Sequence, residues 1–229
     1  MNRRAELEAG IAALEQRIAA ACAAAGRDRA GLTLIAVTKT WPVTDVALLR
    51  DLGVRDMGEN KDAEAAGKAA QVPGVRWHFV GQLQTNKARS VASYATVVHS
   101  LDRPRLAVAL ADGARRAGRV VDVLVQVSLD GDAGRGGALP ADVDALADVA
   151  AGLEGLRLAG VMAVAPLGSD PLAAFDTLVR VSGRLREHHP AAAVVSAGMS
   201  GDLEAAVAAG ATHLRVGTAL LGHRPPLLR

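Results

Sequence analysis

Val121-Asp-Val-Leu-Val-Gln-Val127 is the stretch of sequence that decides the fold class. Its β-branched, mostly apolar residues are typical of a strand that is covered on both faces, as in a parallel sheet flanked by helices. The sequence predicts eight strands, which lie at Leu32–Thr38, Val54–Gly58, Arg76–Val80, Thr96–Ser100, Val121–Ser128, Leu156–Val164, Ala193–Ala197 and His213–Gly217.

Helical stretches alternate with the predicted strands. An amphipathic leading helix is predicted over about residues 4–25, and the others lie at Val43–Leu52, Lys61–Ala70, Thr85–Ala92, Arg103–Ala117, Pro140–Ala151, Pro171–His188 and Gly201–Ala209. Strict alternation indicates parallel pairing, and eight strands favour a closed barrel over an open doubly wound sheet. No glycine-rich dinucleotide fingerprint follows the first strand. We therefore predict that residues 1–229 form one domain, a TIM-type (β/α)8 barrel with an extra N-terminal helix.

The composition argues against several classes of function. The 229 residues include 26 Lys and Arg against 24 Asp and Glu, and the aromatic residues are two Trp, two Phe and one Tyr, too few for a base-stacking platform. A single cysteine, Cys22, permits no intrachain disulfide. The sequence has neither an apolar signal core nor a membrane-spanning run. We expect a cytoplasmic monomer that binds neither nucleic acid nor membranes and holds no metal.

Lys39 follows the first predicted strand. In such barrels ligands bind at the C-terminal ends of the strands, so the residues there are the candidates for chemistry. Period-two spacing places Lys39 on the same face as Ile35 and Val37. Partial desolvation at that position would favour the neutral amine, which is a nucleophile towards aldehydes. Taken alone, the position fits an ordinary solvated lysine better, so this alternative stays open.

Three other strands carry residues whose role has a plain structural interpretation. Asn60 either contacts a ligand or caps the following helix. His78 lies between Trp77 and Phe79, where a histidine is more often a hydrogen-bonded core residue than a base. Met162 is most simply a core residue.

The segments after the seventh and eighth strands indicate a phosphate site. Ser196-Ala-Gly-Met-Ser-Gly201 has small residues that expose backbone N–H groups ahead of a short helix. The eighth strand carries Arg215 and Gly217 on one face, and Thr218 adds a hydroxyl. Phosphates often bind after strands seven and eight of such barrels. The same residues would also suit two ordinary turns, so this alternative stays open.

Together the strand ends supply an amine, an anion cradle and an arginine between them. These groups fit a phosphorylated aldehyde held as an imine. Pyridoxal 5′-phosphate (PLP) is the obvious candidate, with Arg215 facing its ring nitrogen. Asp202 and Glu204 would repel a phosphate unless their side chains point outward.

Seven short motifs in one order make the sequence similar to a known family. They are AVTKT (36–40), GEN (58–60), WHFVG (77–81), QLQTNK (82–87), GVMA (160–163), AGMSGD (197–202) and RVGTA (215–219). Nearly end to end, the chain resembles the pyridoxal-phosphate homeostasis proteins, relatives of the alanine racemase N-terminal barrel. The resemblance implies a PLP Schiff base on Lys39, Arg215 at the pyridine nitrogen, phosphate contacts from Ser200, Gly217 and Thr218, and a pocket lined by Asn60, Met162, Ser196 and Met199.

Two residues depart from the family pattern. Members often have a lysine in the loop after strand five, where this chain has Arg135. Arginine keeps the charge but stays protonated and cannot form an imine, so a cofactor-transfer role for that position is in doubt. Met57 replaces a usual phenylalanine before Gly58, a packing change that we expect to be tolerated.

Three functions compete at this point. The resemblance favours a non-catalytic protein that holds PLP, with PLP-dependent apo-enzymes as candidate partners. An amino-acid racemase is the alternative, but racemases add a second β-rich domain and use a tyrosine opposite the lysine; few residues follow the eighth strand here, and Tyr94 is predicted near the surface. A Schiff-base aldolase would need a carboxylate near Lys39, and Glu59 is the only candidate. We therefore expect no catalytic residues.

Overall fold

The computed structural model describes residues 2–132 and 135–222, and it confirms the closed barrel. Eight parallel strands pair in chain order, and the last pairs with the first. They are β1 (Thr33–Val37), β2 (Asp56–Glu59), β3 (Arg76–Phe79), β4 (Val97–Leu101), β5 (Val121–Gln126), β6 (Leu156–Met162), β7 (Val194–Ser196) and β8 (His213–Val216).

Helices surround the barrel and connect its strands. Over the described residues they are α1 (Arg3–Ala24), α2 (Val43–Asp51), α3 (Asp62–Gln71), α4 (Ala88–Tyr94), α5 (Pro104–Arg116), α6 (Val143–Ala151), α7 (Pro171–His188), α8 (Leu203–Ala209) and α9 (Thr218–Leu221). The predicted leading helix is α1; the side chain of Asn2 caps it by accepting from the Ala5 N–H, and α1 packs against α8 and α9.

The predicted strands and helices form with shifts at their ends. β2 begins at Asp56 rather than Val54, because the Val54 N–H donates to the Leu49 carbonyl and belongs to the end of α2. The predicted helix from Thr85 divides into a short 3-10 turn and α4. The sequence left α9 unassigned. The one-domain prediction also covers Met1, 133–134 and 223–229, which lie outside the described residues.

The strand residues divide between an outer face packed on the helices and a barrel interior that holds several buried polar groups. Met57 and Trp77 face the helices and belong to the main hydrophobic core. His99, Ser196 and Arg215 are also buried, but inside the barrel. His99 lies on β4 and Ser196 on β7, which are not neighbours in the sheet, so their 3.0 Å contact must cross the interior.

Two features are absent from residues 2–132 and 135–222. None of the helices there is long and apolar enough to cross a bilayer. The same residues contain no group of three or more His, Cys, Asp or Glu side chains placed to hold a metal ion.

Candidate cofactor-binding site

The C-terminal ends of the parallel strands form one rim of the barrel, and the structure brings the predicted site residues to it. Lys39 follows β1 in a turn, and Asn60 follows β2. Met162 and Ser196 are the last residues of β6 and β7, and they pair in register. Gly217 lies between β8 and α9. Whether these residues bind a ligand remains a prediction.

Arg215 is the most unusual charge at this rim. Only 5% of it is exposed, and it pairs in register with Ile35 of β1. Its guanidinium donates to Ser196 Oγ at 2.7 Å and to the Ala163 carbonyl at 2.8 Å. Burial lowers its pKa to about 10, so it stays cationic at neutral pH. No carboxylate in the described part of the chain lies within ion-pair distance, which leaves a buried positive charge that an electron-rich ligand would stabilise.

A buried ion-pair cluster lies behind the turn that carries Lys39. Lys68 of α3 donates to the Thr38 carbonyl at 2.8 Å and to one oxygen each of Glu59 and Glu64 at 2.7 Å. The Thr38 hydroxyl donates to the same Glu59 oxygen at 2.6 Å. The residue before Lys39 is therefore fixed by both its carbonyl and its side chain.

The residue after Lys39 is held by the same cluster. The backbone N–H of Thr40 donates to Glu64 at 2.5 Å. Thr40 has φ 67°, a left-handed conformation that a β-branched residue rarely adopts. Such strain persists where the surroundings over-determine it, and here Glu64 supplies the constraint. The turn is thus held on both sides of Lys39.

Glu59 faces the helices rather than the barrel interior. Its neighbour Gly58 is on the interior side, where an added Cβ would lie 3.1 Å from the Ile35 side chain. Burial outweighs the hydrogen bonds from Lys68 and Thr38 and raises the pKa of Glu59 above its ordinary value. The carboxylate that an aldolase would need is therefore engaged by Lys68.

We expect Lys68→Met to lower the free energy of unfolding by about 3–5 kcal/mol, because it leaves the buried Glu59 without its counter-ion. Urea unfolding of the ligand-free protein, followed by circular dichroism, measures the change. Lys61→Met, at an exposed lysine next to the start of the same helix, is the matched control and should cost less than about 0.5 kcal/mol. Equal stability of the two variants would show that Lys68 is not the required counter-ion.

Asn60 does not cap α3, whose N-cap residue is Lys61. Its Oδ1 atom is buried and has no hydrogen-bond partner among the described residues. Its backbone packs so closely on Gly81 that an added Cβ there would lie 2.4 Å from the Asn60 carbonyl oxygen. A buried amide oxygen without a donor is costly, so the capping alternative is wrong and contact with a ligand or water is favoured.

The candidate phosphate residues come together from two loops. Ser200 Oγ accepts from the Ala219 N–H at 3.1 Å, which joins the loop after β7 to the start of α9. A Cβ at Gly217 would lie 3.3 Å from the Val37 carbonyl, so the absence of a side chain brings the two strand ends together. Thr218 is exposed beside this contact. The hydroxyl groups of Ser200, after β7, and Thr218, after β8, therefore lie at the same part of the rim.

Asp202 and Glu204 are both held by hydrogen bonds. Asp202 accepts from the Met199 N–H at 2.5 Å, and Glu204 pairs with Arg17 of α1 at 2.5 and 2.7 Å. Arg17 also donates to the Ser200 carbonyl at 2.8 Å. Arg17 neutralises the charge of Glu204, whereas the Asp202 carboxylate holds the loop that carries Ser200. The sequence contains no local sign of the role of Arg17, because its partners lie more than 180 residues away.

A row of hydrogen-bonded side chains extends from Arg215 through the barrel. Ser196 Oγ lies 3.0 Å from His99 Nδ1, His99 Nε2 lies 2.9 Å from His78 Nδ1, and His78 Nε2 lies 2.8 Å from Asp56. The interpretation of His78 as a hydrogen-bonded core residue is confirmed. The sequence alone did not indicate His99 as a candidate. The signal that could have found it is its place on β4, on the face that points into the barrel.

Comparisons with known proteins identify the family. The family model for the alanine racemase N-terminal domain matches residues 11–225. A pyridoxal phosphate homeostasis protein of Mycobacterium tuberculosis is 44% identical over an alignment of 244 residues, gaps included, that covers 97% of this chain and 95% of that protein. This chain belongs to the pyridoxal phosphate homeostasis protein family. The member from Escherichia coli is 36% identical over 222 residues, covering 93% of this chain and 95% of that protein.

Solved structures support the same assignment for this homeostasis-family member. PipY of Synechococcus elongatus with PLP bound superposes with a TM-score of 0.82 at 32% identity, and the match covers 94% of this chain and all of PipY. An alanine racemase of Corynebacterium glutamicum has a TM-score of 0.75 at 14% identity and matches over 65% of its own length. At that identity the likeness shows the fold alone. The resemblance inferred from the seven motifs is confirmed.

Arg135 connects two loops in this family member. Its guanidinium donates to the carbonyls of Val164 and Ala165 at 3.2 and 3.1 Å and lies 3.4 Å from Asp130. These contacts join the loop after β5 to the loop after β6. The arginine therefore has a structural role that needs only its charge and its donors.

Tyr94 lies in the layer of helices and not at the end of a strand. It is the last residue of α4, and its hydroxyl lies 3.4 Å from Asp62 of α3, in the layer of helices. It is half-buried between the helices rather than lying at the surface, and burial raises the pKa of its hydroxyl. It does not supply a group opposite Lys39.

Proposed function

We propose that this protein binds PLP as part of PLP homeostasis, and that it holds the cofactor as a Schiff base on Lys39 without catalytic turnover. The observation that carries the proposal is Arg215, a buried guanidinium on the strand next to that of Lys39. It has no carboxylate partner among residues 2–132 and 135–222. A pyridine nitrogen is a suitable acceptor for it, and the relative PipY has PLP bound.

The rim residues fit such a ligand. Lys39 would hold the aldehyde carbon, and Arg215 would donate to the ring nitrogen. Phosphate would be held by Ser200, Gly217 and Thr218, and the remaining pocket residues are Asn60, Met162, Ser196 and Met199. The buried Asn60 Oδ1 atom supports this assignment, because it requires a donor that the described residues do not provide. When bound, PLP supplies an electrophilic aldehyde and a ring that withdraws electrons.

The chain positions these groups before any ligand arrives. The cluster of Lys68, Glu59 and Glu64 fixes the turn on both sides of Lys39. Orientation of this kind reduces the entropy that binding must overcome. Arg215 is held by Ser196 and the Ala163 carbonyl, so its direction is set as well.

The same geometry argues against turnover as a racemase. Racemisation needs proton-transfer groups on both faces of a substrate carbon. Lys39 would serve one face, but the Tyr94 hydroxyl contacts Asp62 of α3 and Glu59 is bound by Lys68. The described rim thus offers a single proton-transfer group, Lys39. This suits a protein that holds the reactive aldehyde of PLP without turning over a substrate.

A PLP titration combined with a racemisation assay tests the function. We expect the purified protein to become yellow on uptake of PLP and to keep the cofactor through dialysis. Chiral analysis with alanine and other common amino acids should give turnover below about 1 s⁻¹. Failure to take up PLP would refute the binding role, and turnover in the ordinary enzyme range would establish the racemase alternative instead.

We further propose that PLP-dependent apo-enzymes receive the cofactor by transient contact with this protein, which acts as a cytoplasmic monomer. Release would involve the rim at the C-terminal ends of the strands. Arg135 cannot carry the aldehyde during transfer, because a guanidinium does not form an imine. Transfer to an apo-enzyme should therefore be unchanged in rate by Arg135→Gln if the loops keep their fold.

A further inference from the structure

The row of side chains inside the barrel ends on two groups of fixed hydrogen-bonding character. At the rim, Arg215 can only donate, and it donates to Ser196 Oγ. At the opposite end, Asp56 accepts from Arg76 at 2.7 and 2.6 Å. An ionised carboxylate can only accept. Hydrogen bonds from His78 and Arg76 keep the pKa of Asp56 below its ordinary value despite its burial, so it is ionised at neutral pH.

With both imidazole rings in their neutral form, the carboxylate end fixes the position of every proton in the row. Asp56 accepts, so His78 Nε2 carries a proton. A neutral His78 then has a bare Nδ1, which must accept from His99 Nε2. A neutral His99 accepts at Nδ1, so the single proton of the Ser196 hydroxyl points to it and the oxygen is left to accept from Arg215. The donors run in one direction from Arg215 to Asp56.

The environment of His99 supports its neutral form. The residue is completely buried on β4. Burial, with a smaller contribution from the Arg215 charge, lowers the pKa of His99 well below its ordinary value. The Ser196 hydroxyl and all four ring nitrogens of the two histidines then have partners, which is the condition under which buried polar networks stabilise a single arrangement.

We propose that Asp56, His78 and His99 are positioning residues for the bound cofactor: they orient the Ser196 hydroxyl, and through it Arg215, from the opposite end of the barrel. None of the three is a rim residue, and Asp56 pairs with an arginine whose side chain is 60% exposed at the far end. Since the ligand of Arg215 is the PLP of the proposed function, this inference rests on that function.

The direction of the row is testable in the ligand-free protein. Two-dimensional ¹⁵N NMR of the histidine rings distinguishes protonated from bare nitrogens. In the parent we expect His78 and His99 each to carry one proton, on Nε2. A proton on Nδ1 of His99, or two protons on His78, would overturn the inference. This measurement does not depend on PLP, so it separates a failure of the row from a failure of the proposed function.

Asp56→Asn tests whether the far end sets the direction. The amide can donate to His78 Nε2, which would allow both rings to reverse. We expect the variant to show His99 protonated at Nδ1 in part of the molecules and to bind PLP about tenfold more weakly, because Arg215 loses a fixed acceptor. Unchanged PLP affinity and absorption spectrum in a variant with altered ring protons would overturn the positioning role.

Asp122→Asn is the matched control. Asp122 on β5 also pairs with an arginine of the next strand, Arg157, at 2.6 and 2.7 Å, but contacts no histidine among the described residues. It should leave the ring protons and PLP affinity of the parent unchanged.

Ser196→Ala provides a second variant should Asp56→Asn fail to fold. It removes the link to Arg215 but leaves Asp56 in place. Both rings should keep their proton on Nε2 while PLP binds about tenfold more weakly. Movement of the His99 proton to Nδ1 in this variant would contradict the inference that Asp56 sets the direction of the hydrogen bonds in the row.

Discussion

Borohydride reduction of the PLP-loaded protein is expected to fix the cofactor on Lys39 alone. Lys39 occupies a turn held on both sides at the rim. Lys68 is 7% exposed in its side chain and is engaged by Thr38 and two carboxylates, so its amine is not available. Peptide mass mapping of the reduced protein locates the adduct, and Lys39→Ala should remove it completely.

Lys61→Ala is the matched control for this experiment, because Lys61 is an exposed lysine at the start of α3. It should retain the full yield of the adduct. Mapping of the label to Lys61, Lys68 or Lys87 in the parent would refute the assignment of Lys39.

Removal of two hydroxyls should abolish most of the preference for PLP over unphosphorylated pyridoxal. Charge-assisted hydrogen bonds to a phosphate contribute about 1.5–3 kcal/mol each. Thr218→Val with Ser200→Ala should therefore lower the ratio of the two affinities by about 100-fold or more. The Ser200 oxygen accepts from Ala219, which leaves its proton free to donate to a phosphate oxygen. The double variant should also lose PLP readily on dialysis.

Titrations of PLP and of pyridoxal into the parent, the double variant and Lys39→Ala measure the preference for the phosphorylated form. Lys39→Ala is the complementary variant: it should bind PLP without a covalent bond, in about the micromolar range, because the phosphate contacts remain. A double variant that keeps the preference of the parent would show that the phosphate is held elsewhere. The placement of the cradle after β7 and β8 would then be wrong, even with Lys39 correct.

The sequence by itself predicts the closed barrel and several of the residues that lie at its C-terminal rim. Alternating strands and helices, with the buried pattern of residues 121–127 among them, predict a closed parallel sheet because covered strands are apolar on both faces. A closed parallel barrel has all its strand ends on one rim. The sequence therefore places Lys39, Asn60 and Gly217 together, because they lie at or just after the ends of three predicted strands.

The contacts that hold those residues were decided only by the tertiary structure. Lys68 reaches Thr38 across 30 residues, Arg17 reaches Glu204 across 187, and His99 reaches Ser196 across 97. Periodicity predicts which face a side chain occupies, but not which distant side chain it meets on that face. The partner depends on strand register and on the closure of the barrel, which brings side chains of β4 and β7 within hydrogen-bonding distance across the interior.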